Sequence, residues 1–158
     1  MQARIDKIDF IVLKQLLEDG RISYSSIAKE TNLTDVAIKK RVESLKRRGI
    51  LNSIKAEINY EVLGFEKPIF IQMRTEVGKT EDIMKKLNTF DYVMESYQVL
   101  GEFNILGKLM IPDIKFAEKF IKDISKLDGI IDLKTLIVLT KYKESNSLPS
   151  SVLQKTLS

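Results

Sequence analysis

The segment from Leu33 to Arg48 limits the fold more strongly than any other stretch of this sequence. Thr34 can accept a hydrogen bond from a free first-turn amide, and the charge of Asp35 suits the positive end of a helix. Gly49 is a residue type that commonly ends helices. Because successive helical residues are about 100° apart, one apolar stripe runs along this helix. It consists of Ile38, Val42 and Leu45. The segment therefore predicts a capped helix that packs through one narrow side.

The opposite side of this helix is basic and polar. It comprises Val36, Lys40, Glu43, Ser44 and Arg47. A helix with these two sides can pack on a neighbouring helix and also dock on the phosphates and base edges of DNA. An ordinary surface helix with solvated charges is the alternative, because a single motif needs its structural context.

The composition excludes several kinds of chemistry. The 158 residues are 44% hydrophobic, which is enough for one medium domain or two small ones. The chain contains neither cysteine nor histidine, so disulfides, thiolate metal sites and histidine-dependent catalysis are excluded. We therefore predict no catalytic residue and no metal site. The first residues lack the apolar run of a signal peptide, and no stretch reaches the ~18 apolar residues of a membrane span, so we expect a cytoplasmic protein.

Positive charge is concentrated in the first part of the chain. Residues 1 to 60 hold 12 Lys and Arg against 8 Asp and Glu, whereas residues 61 to 158 hold 14 of each kind. The whole formal net charge of +4 therefore belongs to the first part. This asymmetry indicates a basic module that meets a polyanion and a neutral module with another role.

Two further helices are predicted before the basic helix. Apolar residues recur at three- and four-residue steps from Ile5 to Leu17, and Asp19-Gly20 ends the series. Ser23 can cap a second, short helix that continues to about Thr31, and a tight turn follows. A short helix, a turn and a capped basic helix form the helix-turn-helix unit, whose second helix reads the major groove.

The remaining sequence alternates strand and helix patterns. Residues Ile50 to Asn59 are interpreted as a strand or hinge strand. The strands predicted after it are 69–75, 93–100, 105–111 and 130–141. Two helices are predicted between them, one at 80–88 that is capped by Thr80 and one that begins after its cap Asp113. This order predicts an α+β chain, with an N-terminal helix-turn-helix domain followed by a ferredoxin-like βαββαβ domain.

The predicted sheet has more apolar residues than two short helices can cover. They include Ile69, Ile71, Met73 and Val138. A partner subunit on the bare face is therefore expected.

The organisation along the chain follows from these elements. We predict a helix-turn-helix domain at 1–51, a hinge strand and linker at 52–66, a ferredoxin-like effector-binding and oligomerisation domain at 67–144, and a flexible tail at 145–158. The helical spacing of Val152, Leu153 and Leu157 offers a docking helix as the alternative for the tail.

Residues 4 to 144 resemble one family. The matching runs in the first part are Asp19-Gly20-Arg21-Ile22-Ser23, Ile27-Ala28, Leu33-Thr34, Arg41-Val42 and Gly49-Ile50-Leu51. They resemble the DNA-binding domain of the leucine-responsive and asparagine-operon regulators, the Lrp/AsnC family. The second part resembles that family's effector and assembly domain through the turn Gly101-Glu102-Phe103-Asn104. The resemblance implies a transcription regulator, not an enzyme, that needs no cofactor, assembles from homodimers into tetramers or octamers, and often senses an amino acid.

The candidate DNA-binding residues lie on or near the basic helix. They are Ser23, Thr34, Asp35, Val36, Lys39, Lys40, Arg41, Ser44 and Arg47. Lys40 faces outward and is assigned to phosphate or base contact. Arg41 lies beside the apolar stripe, so it either contacts phosphate or pairs with Glu30. A symmetric dimer would place two such helices on double-stranded DNA at a pseudo-palindromic operator.

The resemblance places an amino-acid effector at the turn and the last strand. The candidate residues are Gly101, Glu102, Phe103, Asn104 and Thr135. Glu102 replaces the usual Asp of the family, and Leu133 stands where a first threonine is expected, which leaves Thr135. A free backbone amide at Gly101 or Asn104 could bind a carboxylate. The alternative is a structural turn in a protein that responds to no amino acid.

Two other functions compete with a sequence-specific regulator. One is a chromatin-like architectural protein that binds DNA with broad specificity. Such a protein differs from a regulator in the ratio of its affinity for a specific site to its affinity for random DNA. The other is a stand-alone metabolite sensor or an enzyme built on the ferredoxin-like half. Because the chain lacks histidine and cysteine, it is the least favoured.

Overall fold

The computed structural model describes residues 4–65, 68–145 and 147–156. They form two compact units. The first unit contains the described residues up to Glu57 and those from Lys143 onward, and the second runs from Ile58 to Tyr142. The predicted boundary between residues 66 and 67, and Leu157 of the tail, lie outside the described residues.

Three helices build the first unit. They are α1 (Lys7–Glu18), α2 (Tyr24–Thr31) and α3 (Asp35–Arg47). Ser23 and Thr34 cap α2 and α3 as predicted, because their hydroxyl oxygens accept hydrogen bonds from the backbone N–H groups of Ser26 and Ala37. Gly49 follows α3 with a φ of 69°, in the left-handed region where glycine has no steric penalty. The helix-turn-helix prediction is confirmed.

The apolar stripe of α3 forms the centre of the first core. Ile38, Val42 and Leu45 are at most 1% exposed. They pack with buried residues of the other two helices, among them Val12, Leu16, Ile27 and Ala28. The turn that allows this packing contains Asn32 in the left-handed conformation, with a φ of 53°. The two sides of α3 are therefore separated as the sequence pattern predicts.

The second unit is a four-stranded antiparallel sheet with two helices. Its elements are β1 (Ile69–Thr75), α4 (Thr80–Leu87), β2 (Val93–Gln98), β3 (Ile105–Leu109), α5 (Ile114–Ile124) and β4 (Ile130–Ile137). The strand order is β2-β3-β1-β4. The ferredoxin-like βαββαβ prediction is confirmed, although β2 and β3 each end two residues earlier than expected and β4 ends four residues earlier.

The register of β1 corrects the prediction for the bare face of the sheet. Ile69, Ile71 and Met73 are at most 1% exposed, in one core with buried residues of α4 and α5. Because side chains alternate along a strand, Phe70, Gln72 and Arg74 take the other face. Three of the four residues named as surplus apolar surface are thus covered within one chain, and these three give no evidence for a partner subunit.

Two smaller predictions are also corrected. Residues 51–59 are not part of a sheet, because no described strand of this chain supplies the backbone partners that a strand needs. Thr80 does not cap α4, since Lys79 holds the cap position and makes no side-chain cap bond. The tail contains a four-residue helix, α6 (Ser150–Leu153), and a 3₁₀ turn after it, and its flexibility stays a prediction.

Substitution of one α3 stripe residue tests the assignment of the two sides. We expect Ile38→Ala to lower the free energy of unfolding by about 2–5 kcal/mol, because it removes fully buried apolar atoms and leaves a cavity. Val36→Ala, two residues away and 63% exposed, is the matched control and should change it by less than about 0.5 kcal/mol. Urea denaturation measures both. Equal losses would contradict the assignment.

Candidate nucleic-acid interface

The exposed side of α3 gathers most of the candidate DNA-binding residues. Asp35, Val36, Lys39, Lys40 and Arg47 are exposed to solvent. Ser44 is half-buried on the same helix. Together with Glu43 and Lys46, which are also exposed on this helix, the side offers four cations, two carboxylates, one hydroxyl and one apolar side chain. This mixture suits contact with both phosphates and base edges.

The two capping hydroxyls stand at the N-terminal ends of their helices. The Thr34 hydroxyl oxygen accepts the N–H of Ala37 at 3.2 Å. That of Ser23 accepts the N–H of Ser26 at 3.1 Å and lies within hydrogen-bond distance of the hydroxyls of Ser25 and Ser26. A hydroxyl that accepts from an amide still has its own proton to donate. Thr34 can therefore cap α3 and donate to a phosphate at the same time.

Arg41 makes two ion pairs with the start of α1. Its Nη1 donates to the Asp9 carboxylate at 2.9 Å and also to the Asp6 carboxylate. The predicted alternative partner, Glu30, instead accepts a hydrogen bond from the Gln15 amide at 2.7 Å. The Glu30 pairing is therefore wrong, because the side of α3 next to the apolar stripe faces α1 at this position.

A buried carboxylate joins α1 to α3 and to the residue after it. Asp9 is 4% exposed, and its two oxygens accept from Arg41 and Arg48, each at 2.9 Å. Arg48 also donates to the backbone carbonyl of Arg4. Charge-assisted hydrogen bonds of this kind are shorter and stronger than neutral ones. They offset the free-energy cost of removing the carboxylate from water.

The same contacts shift two protonation equilibria. Partial burial raises the pKa of the Asp6 carboxyl, but hydrogen bonds from the Asp9 backbone N–H and from Arg41 outweigh it and bring the pKa below its ordinary value. Hydrogen bonds to Asp6 and Asp9 raise the pKa of the Arg41 guanidinium. Both groups are therefore charged at neutral pH.

A cleft of about 530 Å³ lies between α3 and the start of α1. Six of the nine residues that line it are charged: Arg4, Asp6, Asp9, Lys40, Arg41 and Arg48. The other three are Ile5, Ala37 and Ser44. Lys40 and Ser44 also belong to the candidate DNA-binding residues, so the cleft is continuous with the exposed side of α3. Four cations against two carboxylates leave its walls net positive.

The candidate effector turn of the second unit is tied to the sheet by Asn104. The side-chain oxygen of Asn104 accepts the N–H of Thr75 at 3.0 Å, and its amide nitrogen donates to the hydroxyls of Thr75 and Thr80 at 2.8 and 3.0 Å. The backbone N–H of Asn104 donates to the carbonyl of Met73. The expected free amide at Asn104 is therefore wrong, because the turn uses it to join β1.

The other candidate effector residues are more accessible, although two of them have partners. Glu102 pairs with Arg74 at 3.5 Å, and the Lys134 ammonium lies 4.1 Å from the centre of the Phe103 ring. Gly101 is exposed. Thr135 pairs with Ile71 across the strands, so its side chain points to the face opposite to that of Lys134. The structure thus brings the four turn residues together and separates Thr135 from the side chain that covers Phe103.

Comparison with known families and proteins agrees with this geometry. Residues 69–148 match the family model described as Lrp/AsnC ligand binding domain, and residues 5–52 match the one described as winged helix-turn-helix DNA-binding. The chain belongs to the Lrp/AsnC family. As a member of the Lrp/AsnC family it is a DNA-binding transcription regulator and not an enzyme.

Individual relatives extend over nearly the whole chain. HTH-type transcriptional regulator FL11 of Pyrococcus abyssi is 28% identical over 149 residues, which cover 94% of this chain and 99% of that protein. The structure of AsnC from E. coli has a TM-score of 0.86 at 28% identity and covers 93% of this chain and 100% of that one. The complex of NMB0573 from Neisseria meningitidis with L-methionine has a TM-score of 0.84 at 23% identity, with 94% and 99% coverage, and shows the shared fold.

Two further properties concern the described residues of this Lrp/AsnC chain. Within them, no helix is long and apolar enough to cross a membrane. Among the same residues, no group of three or more acidic side chains is placed to hold a metal ion.

The sequence reasoning missed Asp9 and Arg48. The missed signal was the position of Asp9, four residues after Ile5 and four before Leu13, on the buried side of α1. A carboxylate at a core position requires a buried cationic or hydrogen-bonding partner. Arg41, in the middle of α3, and Arg48, directly after it, supply this partner.

Removal of the Asp9 charge tests this junction. We expect Asp9→Asn to lower the free energy of unfolding by about 2 kcal/mol, because two guanidinium groups lose their shared carboxylate but still reach solvent. Glu18→Gln on the same helix is the control, since Glu18 is exposed and its pair with Lys14 is 3.9 Å long. Urea denaturation compares the two. A loss for Asp9→Asn no larger than for the control would contradict a structural role.

Proposed function

We propose that this regulator binds a specific, pseudo-palindromic sequence on double-stranded DNA as a homodimer or higher oligomer, with α3 in the major groove. The observation that carries the proposal is the exposed basic side of α3 opposite its buried stripe. Such a helix is the reading element of the helix-turn-helix motif. Because its target is DNA, we place the protein in the cytoplasm. Residues 1–51 would form the DNA-binding domain, and residues 67–144 would form the domain for effector binding and assembly.

Individual roles follow from side-chain chemistry. We assign Lys39, Lys40 and Arg47 to phosphate contact, since they are exposed cations on one helix. The proton of the Thr34 hydroxyl is assigned to a phosphate near the start of α3, and Ser23 has the same role at α2. Ser44, Asp35 and Val36 are assigned to base edges, where Val36 can contact a thymine methyl group.

The open face of the sheet supports the oligomer. It carries apolar side chains on the side away from α4 and α5, including Phe70, Tyr97 and Leu136. Tyr97 and Leu136 are about half exposed. A symmetric partner that covers this face would form a homodimer, from which a tetramer or octamer can assemble. Two copies of α3 would then lie about 34–36 Å apart, on successive major-groove faces.

Loss of single cations on α3 tests the DNA contacts. We expect Lys40→Ala or Arg47→Ala to weaken binding to a selected duplex and to reduce the slope of log affinity against log salt by about one per lost phosphate contact. Lys14→Ala on α1 is the matched control and should leave the slope unchanged. Fluorescence anisotropy at several salt concentrations measures this. Equal slopes for all four proteins would contradict the assignment.

The same assay separates a regulator from an architectural protein. A sequence-specific regulator should prefer its selected site over random duplex by ~10³ or more. A chromatin-like protein would bind both duplexes with similar affinity. Selection of bound sequences from a random pool identifies the preferred site, and the absence of any preference at low salt would contradict sequence-specific regulation.

We further propose that an amino acid modulates this regulator at the Gly101–Asn104 turn. The match to a ligand binding family model and the L-methionine complex of NMB0573 support the proposal. Exposure of Gly101 and Glu102 leaves the outer side of the turn accessible. Asn104 would position the turn rather than contact the ligand, because its amide is already bonded to Thr75 and Thr80.

Thermal unfolding with amino acids tests the effector. L-Methionine at ~100 times its dissociation constant should stabilise the folded protein by about 2.7 kcal/mol and raise Tm, because it binds only the folded form. D-Methionine is the matched ligand control, and the other standard amino acids complete the series. If none of them raises Tm, the sensing proposal is contradicted while the DNA-binding proposal is unaffected.

A further inference from the structure

The cleft beside α3 holds cations whose hydrogen-bonding capacity is only partly used. Arg41 uses Nη1 for both of its carboxylate partners, and its Nε and Nη2 make no hydrogen bond to any residue that the structure describes. A guanidinium group has five N–H donors in a planar fork. Arg41 therefore has donors left for an anion in the cleft. Lys40, on the same wall, adds a second positive charge.

The two carboxylates in the cleft have different environments. The Asp9 side chain is 5% exposed and accepts from Arg41 and Arg48, whereas the Asp6 side chain is 53% exposed and contacts Arg41 alone among the arginines. A buried carboxylate with two partners holds both of them in place. An exposed ion pair is weak and is easily exchanged for another anion. Of the two carboxylate partners of Arg41, Asp6 is therefore the one that another anion replaces more easily.

We propose that this cleft is a binding site for a backbone phosphate of duplex DNA, and that Asp6 is an internal competitor of the phosphate for the positive charge of Arg41. Asp9 is the positioning residue, because it keeps Arg41 and Arg48 in the cleft whether or not the phosphate is bound. The wild-type chain thus binds DNA more weakly than its cations alone would allow. This inference rests on the proposed binding of DNA through α3.

The continuity of the cleft with the exposed side of α3 supports a phosphate as the ligand. Lys40 and Ser44 line the cleft and belong to the same side of α3 as Arg47. A helix in the major groove has phosphates on both sides. A phosphate can accept several N–H donors at once, from Lys40 as a point charge and from Arg41 as a fork. Asp6 offers only a single carboxylate in competition with it.

The test is the substitution Asp6→Asn in the full chain. Asparagine caps α1 as well as aspartate does but carries no charge, so the helix start is preserved. With a fluorescent duplex of random sequence we expect binding about two- to fivefold tighter than for the wild type at ~50 mM salt, because the competing ion pair is gone. The difference should decrease by ~200 mM salt. Asp6→Ser, which also caps, repeats the measurement if Asp6→Asn does not fold.

Two controls separate competition from a general change of charge. Glu18→Gln removes the same charge from the far end of α1 and should change affinity by less than Asp6→Asn. Arg41→Gln should abolish the gain, so that Asp6→Asn/Arg41→Gln binds no tighter than Arg41→Gln alone. This non-additivity is expected only if Asp6 acts through Arg41.

The outcomes are distinct. A gain for Asp6→Asn that persists with Arg41→Gln, or that equals the gain for Glu18→Gln, would overturn the proposal in favour of long-range repulsion. Unchanged or weaker binding by a folded Asp6→Asn protein would overturn it as well, and weaker binding would assign Asp6 to structure alone. If the wild-type chain does not bind the duplex at all, the proposed DNA-binding function fails first.

Discussion

The buried carboxylate of Asp9 is the constraint on which the geometry of the first unit depends. The apolar core packs α3 against α1 and α2. Apolar packing by itself would still allow small rotations and shifts of the helix. A carboxylate with one guanidinium on each oxygen accepts few alternative positions, because any shift leaves a buried charge without its partner. Asp9 therefore fixes which side of α3 is buried and which faces outward.

This arrangement divides the cations of α3 into two groups. Lys39, Lys40, Lys46 and Arg47 are exposed and have no carboxylate partner among the described residues. Arg41, and Arg48 directly after α3, share part of their charge with Asp9. The basic count of the helix therefore overstates the charge that it can offer to DNA. Affinity depends on how many of these cations reach phosphates, so under the proposal above Asp6 would affect binding without touching DNA itself.

The sequence predicted the features that depend on neighbouring residues and missed those that depend on distant ones. The caps at Ser23 and Thr34 involve an amide three residues away, and the buried stripe of α3 follows from helical periodicity, so both were accessible. The pairing of Arg41 with Asp9 spans 32 residues and depends on how α1 packs on α3. For β1, the alternation of side chains in the sequence divides the strand into two faces. Only the packing of α4 and α5 in the structure shows which of these faces is covered by helices.

The effector turn shows the same limit in the second unit. A family resemblance can place a Gly-acid-aromatic-amide turn between two strands, but it does not tell whether the amide binds a ligand or the protein itself. Asn104 is half-buried, and its side-chain oxygen and nitrogen are hydrogen-bonded to Thr75 and Thr80. Freeing it for a ligand would leave the Thr75 N–H without its partner beside a buried threonine, which is unfavourable. Asn104 is therefore better suited to keep the turn in position than to contact an effector.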